Sequence, residues 1–137
     1  MKETETYLGN LIIHHIGIVV KDINKSIELY LKLGYRIDSN IVIDFNQNNR
    51  LAFMHNDLNS LMVELIEPMD ETSSVYNFNT GYHHVCYEVE KKEAFFSVFK
   101  QLKIGKVFTK PVKAPAINNR EIVFACLKNG TFVEFLF

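Results

Sequence analysis

Two histidine pairs and two isolated glutamates are the groups in this chain best equipped to do chemistry. His14-His15 interrupts the apolar run "LIIHHIGIVV" at 11–20, and His83-His84 interrupts "GYHHVCYEV" at 81–89. Glu64 is the lone acid in "LMVEL" and Glu134 the lone acid in "TFVEFLF". A carboxylate inside an apolar strand is costly unless it is paired or bound to a metal. Neutral imidazoles and carboxylates together suit a borderline divalent ion such as Zn, Ni, Co, Mn or Fe. The plainer alternative is that each glutamate pairs with Arg50 or Arg120 and each histidine is a satisfied core residue.

The spacing of these groups favours a shared site. His84 follows His15 by 69 positions, and the same offset superposes Val89 on Val20 and Leu102 on Leu33. After one inserted residue the offset is 70. It then aligns "NNR" at 118–120 with "NNR" at 48–50, and Glu134 with Glu64. The chain is therefore read as an internal duplication, with ligand-type residues at matching places.

The elements that must position them follow from pattern. Each half reads as a strand, a helix and three strands. The first helix is expected over 22–33, with Asp22 as N-cap, Gly34 as stop and Ile23, Ile27, Tyr30 and Leu31 as its apolar stripe. The second is expected over 91–103, with Ala94, Phe95, Val98, Phe99 and Leu102 on its stripe. Strands at 121–127 and 131–137 flank Asn129-Gly130, a hairpin signal, and 55–60 makes the equivalent turn. One βαβββ unit cannot cover its own sheet, so two would pack side by side around a shared concavity. The class is α+β: two tandem βαβββ modules in a cup-shaped, partly open barrel. Residues 1–10 form a polar tail, 11–68 the first module, 69–81 a polar linker and 82–137 the second module.

Alternation along the strands assigns faces. Ile12, His14, Ile16, Ile18 and Val20 form the bulkier, helix-packed set. Leu11, Ile13, His15, Gly17 and Val19 share the other face, where Gly17 leaves space beside His15. The second copy places His84, Cys86 and Glu88 together. His15 and His84 thus point into the concavity, and His14 and His83 are expected outside, near the strand ends. Cys86 reads best as a buried structural thiol and Glu88 as a solvated strand-end residue. His55, in the turn, needs no role.

Composition sets the bounds. The chain has 137 residues, 47% of them hydrophobic, and a formal net charge of −1, which argues against nucleic acid or an anionic membrane as the main partner. The polar start "MKETETYLGN" lacks the pattern of a secretion signal, and two unspaced cysteines read as reduced thiols, so a cytoplasmic location is expected. The lysines at 100, 103, 106, 110 and 113 could attract a phosphorylated substrate or form a solvated face. The loop "KPVKAPAINNR" at 110–120 is expected at the rim of the cavity.

"HHIGIVVKDINKSIELY", "VELIEP", "YHHVCYEV" and "FVEFLF" resemble the vicinal oxygen chelate superfamily, which includes glyoxalase I, methylmalonyl-CoA epimerase, extradiol dioxygenases and antibiotic-resistance proteins. The resemblance runs from about residue 11 to Phe137. It implies one divalent metal held by His15, Glu64, His84 and Glu134, and a homodimer. It also implies an isomerase, epimerase or lyase acting on a carbonyl or thioester substrate through an enolate. Glutamate is the expected base, with Glu134 preferred over Glu64. The glycine-rich stretch of the epimerases is replaced here by "KPVKAPAINNREIVF", and Leu51 stands near the place where some of them carry an acid. The substrate therefore stays open. A sequestering small-molecule binder ranks second and a ring-cleaving dioxygenase third.

Overall fold

The computed structural model describes residues 6–137, with Asn59 and Ser60 by backbone alone. Residues 1–5 of the expected N-terminal tail lie outside the described residues; within its remainder, Leu8 packs against the second helix's cluster.

The first half comprises β1 (Leu11–Val19), α1 (Ile23–Lys32), two short strands β2 (Arg36–Ile37) and β3 (Val42–Asp44), then β4 (Asn49–Asn56) and β5 (Asn59–Pro68). The second repeats it with β6 (Gly81–Val89), α2 (Phe95–Leu102), β7 (Gly105–Val107), β8 (Val112–Ala114), β9 (Arg120–Leu127) and β10 (Phe132–Leu136). The ten strands of the described residues join one mixed sheet that does not close. Its order is β2-β4-β5-β1-β6-β10-β9-β7, with β3 on β4 and β8 on β9. The halves meet where β1 pairs antiparallel with β6; each of these strands also pairs in parallel with the last strand of its own half. That seam brings the two histidine pairs together.

Alternation along β5 and β10 sorts their side chains. Val63 and Leu65 face α1 and join Ile23, Ala52 and Met54, while Val133 and Phe135 face α2 and join Phe95, Phe99 and Val123. The intervening Glu64 and Glu134 are thereby turned to the concave face. Ile66 and Leu136 follow them inward, into clusters with Leu51 and Val75 and with Phe53 and Cys86.

The helices differ in how they start. The Lys25 N–H donates to Asp22 Oδ1 at 3.1 Å, and the Ile23 N–H donates to Glu67 Oε2 at 2.7 Å, so α1 has two of its free N–H groups satisfied. Gly34, at φ +97°, ends it as expected. Of the expected stripe, Leu31 is in fact exposed. In α2 no side chain caps the N-terminus, and Ala94 sits outside the helix at φ 58°. The helix consequently begins at Phe95 rather than near Lys91, and is held by Phe95 and Phe99 packing on Phe135.

At the last hairpin only Gly130 of the Asn-Gly pair has positive φ. The Gly130 N–H donates to Leu127 O, closing a turn that ends on a left-handed glycine instead of the two-residue turn with both residues left-handed. Cys86 and Cys126 are both free thiols. Among the described residues no helix is long and apolar enough to cross a membrane.

Candidate metal centre

His15, Glu64, His84 and Glu134 meet in the cup, all from one chain. His15 Nε2 lies 3.3 Å from His84 Nε2. Glu134 Oε1 is 3.1 Å from the first of these nitrogens and 3.3 Å from the second. Glu64 Oε1 stands slightly further off, at 3.4 and 3.8 Å. All four residues are buried.

The alternative of glutamate–arginine pairs fails because both arginines are engaged elsewhere. Arg50 Nη1 is 2.7 Å from Glu67 Oε1. Arg120 Nη2 is 2.9 Å from Glu88 Oε1, and its Nε–H donates to Phe137 O. Glu88 is therefore a strand-end acid that is still partly solvated, as expected, and is also an ion-pair partner.

Electrostatics reinforces the picture. Burial alone would raise the Glu134 pKa, but contacts with His15 and His84 outweigh it and hold the carboxyl well below the usual range. Burial works against charge on His15 as well, yet Glu64, Cys86 and Glu134 hold its pKa well above the ordinary value. Two buried carboxylates thus demand positive charge between them. Glu134 Oε1 still has no hydrogen bond of good geometry. The cavity bordered by Glu64, His84 and Glu134 has a volume of about 20 Å³. That is room for roughly one water-sized body. His15, His84 and Glu134 offer ligand atoms all within 4.8 Å of one another. Donor type, convergence, unmet charge and volume all fit a single divalent cation.

His14 and His83 are placed inward, contrary to the face expected from strict alternation. The β1–β6 register slips between Ile13 and His15, and again between Gly17 and Ile18 opposite His83. Each histidine pair therefore sits at an irregularity, where alternation is lost and both rings can turn to one side. His14 Nδ1 lies 2.8 Å from His15 Nδ1, and His83 Nδ1 lies 2.7 Å from His84 Nδ1. Such a pair shares one proton. Burial, followed by the neighbouring His15 or His84, lowers the pKa of His14 and pushes that of His83 down to about 4. Both are neutral near pH 7 and can accept from the Nδ1–H of the next residue, which leaves Nε2 of His15 and His84 free to ligate.

Gly17 is needed for this approach. A Cβ there would lie 2.2 Å from Cε1 of His84. The space read beside His15 is filled by the ring of His84. Cys86 packs by His15, with burial raising its thiol to about 12, so it is a neutral neighbour.

Sequence reading missed several residues of the cavity. Asp44 is buried at the end of β3 and accepts from the N–H groups of Asn46 and Gln47. An aspartate followed by "FNQNN" is a turn signature that could have located it. The linker also contributes Val75 and Phe78, while the 110–120 loop, which was expected at the rim, supplies Val112, Ala114 and Ile117 as a wall. Of the five lysines, Lys110 borders the large cavity beside the His/Glu cluster, whereas Lys100 and Lys106 border a separate groove on α2 and β7.

Fold and site together define a class: paired βαβββ modules enclosing a two-histidine, two-glutamate cluster in a cup. The family model of the Glyoxalase/Bleomycin resistance protein/Dioxygenase superfamily matches residues 14–124, and the chain belongs to that superfamily, the vicinal oxygen chelate proteins. A comparison with curated proteins gives no match. Among solved structures, methylmalonyl-CoA epimerase from Mycobacterium tuberculosis is 24% identical, with a TM-score of 0.79 over 99% of this chain and 91% of that one. A hypothetical protein from Bacillus halodurans is 22% identical at TM-score 0.79, over 92% and 93%. Streptomyces coelicolor methylmalonyl-CoA epimerase in complex with 2-nitronate-propionyl-CoA is 21% identical at 0.73, over 90% and 94%. At these identities the likeness is one of fold.

Proposed function

We propose that this protein is a metal-dependent isomerase, epimerase or lyase that moves a proton at a carbon next to a carbonyl. The observation that carries this reading is the convergence of two Nε2 atoms, 3.3 Å apart, with two Oε1 atoms that each lie 3.1–3.8 Å from both nitrogens, while both candidate arginine partners are engaged elsewhere. His15, Glu64, His84 and Glu134 would hold one Zn, Ni, Co, Mn or Fe ion. Such an ion supplies Lewis acidity, stabilising negative charge that develops on a carbonyl oxygen.

The protein's own groups do the rest. The His14 and His83 contacts orient the two imidazoles. Leu51, Ile66 and Val75 keep the neighbourhood of the carboxylates dry, which strengthens every charge interaction there. Glu134 is the base that the resemblance favours, but Glu64, the looser of the two by distance, is the one we assign to turn toward substrate and take the carbon-bound proton on a carboxylate oxygen. Glu134 stays with both histidines. Returning the proton to the same carbon epimerises it, and returning it to the adjacent carbon isomerises the substrate. Leu51 is buried in this cavity, so no acid at that position shares the task.

Metal content by elemental analysis is the test, on wild type and His84→Ala purified without nickel affinity. About one divalent ion per chain is expected, lost in the variant. Solvent deuterium should then enter 2-methyl acyl thioesters or hemithioacetals with wild type but not with Glu64→Gln. A chain that binds no ion after incubation with Zn, Ni, Co and Mn would sink the reading. It would leave a sequestering binder as the better account, which the large aromatic cavity beside the site would also serve.

A further inference from the structure

Resting on the metal-centred reading above, we propose that the ligand carries a flat aromatic group next to its chelating oxygens, and that this group occupies a cavity walled by Phe78, Phe108, Phe124 and Phe132. The space among the carboxylates, about 20 Å³, takes an ion but no organic group. A second cavity of about 440 Å³ adjoins it, and the two share Gln47, Val75, His83 and Phe124 as walls. Any substrate reaching the ion must have its remaining atoms there, and the volume is that of an ordinary small-molecule site.

Its lining says what those atoms are. The four phenylalanines come from four separate segments: the linker, the loop after β7, β9 and β10. His83 stacks on Phe132 with 13° between planes and meets Phe78 edge-on at 4.6 Å. Phe108 lies against both Phe124 and Phe132. The walls therefore present ring faces and edges on several sides, the geometry that receives another ring. Phe78 and Phe108 remain 38% and 51% exposed, so apolar surface here is left uncovered by the described residues. Among the lining residues Lys110 is the single charged one. A small dicarboxylate acyl group would gain little from such walls, whereas an aryl group buries two faces.

Hydroxamates test this, because they offer two vicinal oxygens and differ only in the attached group. Cobalt-loaded protein would be titrated with benzohydroxamate and acetohydroxamate, following the cobalt visible band for chelation and calorimetry for affinity. Benzohydroxamate should bind at least about tenfold tighter, and Phe78→Ala and Phe108→Ala should each cut that preference by roughly fivefold while leaving acetohydroxamate within about twofold. Both positions are partly exposed, so the variants should fold. Equal affinities, or a preference untouched by both variants while the band still shifts, would overturn the aromatic site and leave the metal reading standing. A cobalt band that neither hydroxamate shifts would overturn both.

Discussion

The two halves of the chain carry the same His-His pair at the same kind of strand irregularity, with the same Nδ1 contact, and yet their surroundings differ. Two residues after the histidine that joins the cluster, the first half has Gly17 and the second has Cys86. Across the seam Gly17 lies opposite His84, and His15 lies opposite Cys86. One imidazole is thus seated over bare backbone, the other against a thiol. The flanks diverge further. Beside His15 the cup is filled by Phe53 and Met62, packed with Cys86, Ala114 and Ile117. Beside His84, Phe124 and Phe132 line an open cavity. The duplicated positions hold the geometry of the His/Glu cluster, and the positions that departed from duplication decide on which side the cup stays open.

Gly17→Ala should break this arrangement most severely. The added Cβ would sit 2.2 Å from Cε1 of His84, against a ring that two strands hold in place. Metal affinity should fall by about two orders of magnitude or more, with roughly 1–3 kcal/mol of stability lost to overpacking. Calorimetry and urea unfolding of the same sample separate the two. Unchanged metal binding would show that the glycine is not what admits the ring.

A smaller effect is expected for His83→Phe, which keeps a ring on Phe132 but removes the acceptor for His84 Nδ1–H. Metal affinity should drop about 10- to 100-fold, and His14→Phe should do the same on the other side. Unequal losses would sharpen the comparison by showing which half depends more on its leading histidine. The same variant has a pH signature. Burial, then His84, hold His83 at about 4 in the folded chain, below its ordinary 6.5. Between these values the unfolded chain binds more protons, so His83 makes the metal-free protein less stable as pH falls from 6.5 to 4. The phenylalanine variant should lose part of that slope in urea midpoints measured across the window.

Cys86→Ala should change least. With the thiol pushed up to about 12 it is protonated and no nucleophile near pH 7, and although its Sγ lies within 4.8 Å of ring nitrogens of His14 and His15 it stands outside the His15, His84 and Glu134 group. Metal affinity should stay within about threefold, and stability should fall by roughly 1 kcal/mol for the small void. Thiol labelling of the native wild type should accordingly reach Cys126 and spare Cys86. Rapid labelling of Cys86 would mean that the seam opens readily.

Much of the site was legible in the sequence because it depends on strand alternation and on repeat spacing. His15, His84, Glu64 and Glu134 could be picked out as a set, since a lone acid in an apolar strand and a repeated histidine pair are anomalies visible without neighbours. Asp22 and Gly34 bounded α1 by local backbone chemistry. The same kind of local reading misplaced His14 and His83, because a slip in pairing is a property of two strands 69 residues apart and leaves no mark on either alone. It also began α2 four residues too early, since nothing along the helix reveals that its first turn lacks a cap partner. The partners of Arg50 and Arg120, the inward turn of Val75 and Phe78 from the linker, and the side on which the cup stays open were decided by tertiary structure alone. Each depends on which distant surface a segment meets, and residue type and spacing along one chain do not contain that information.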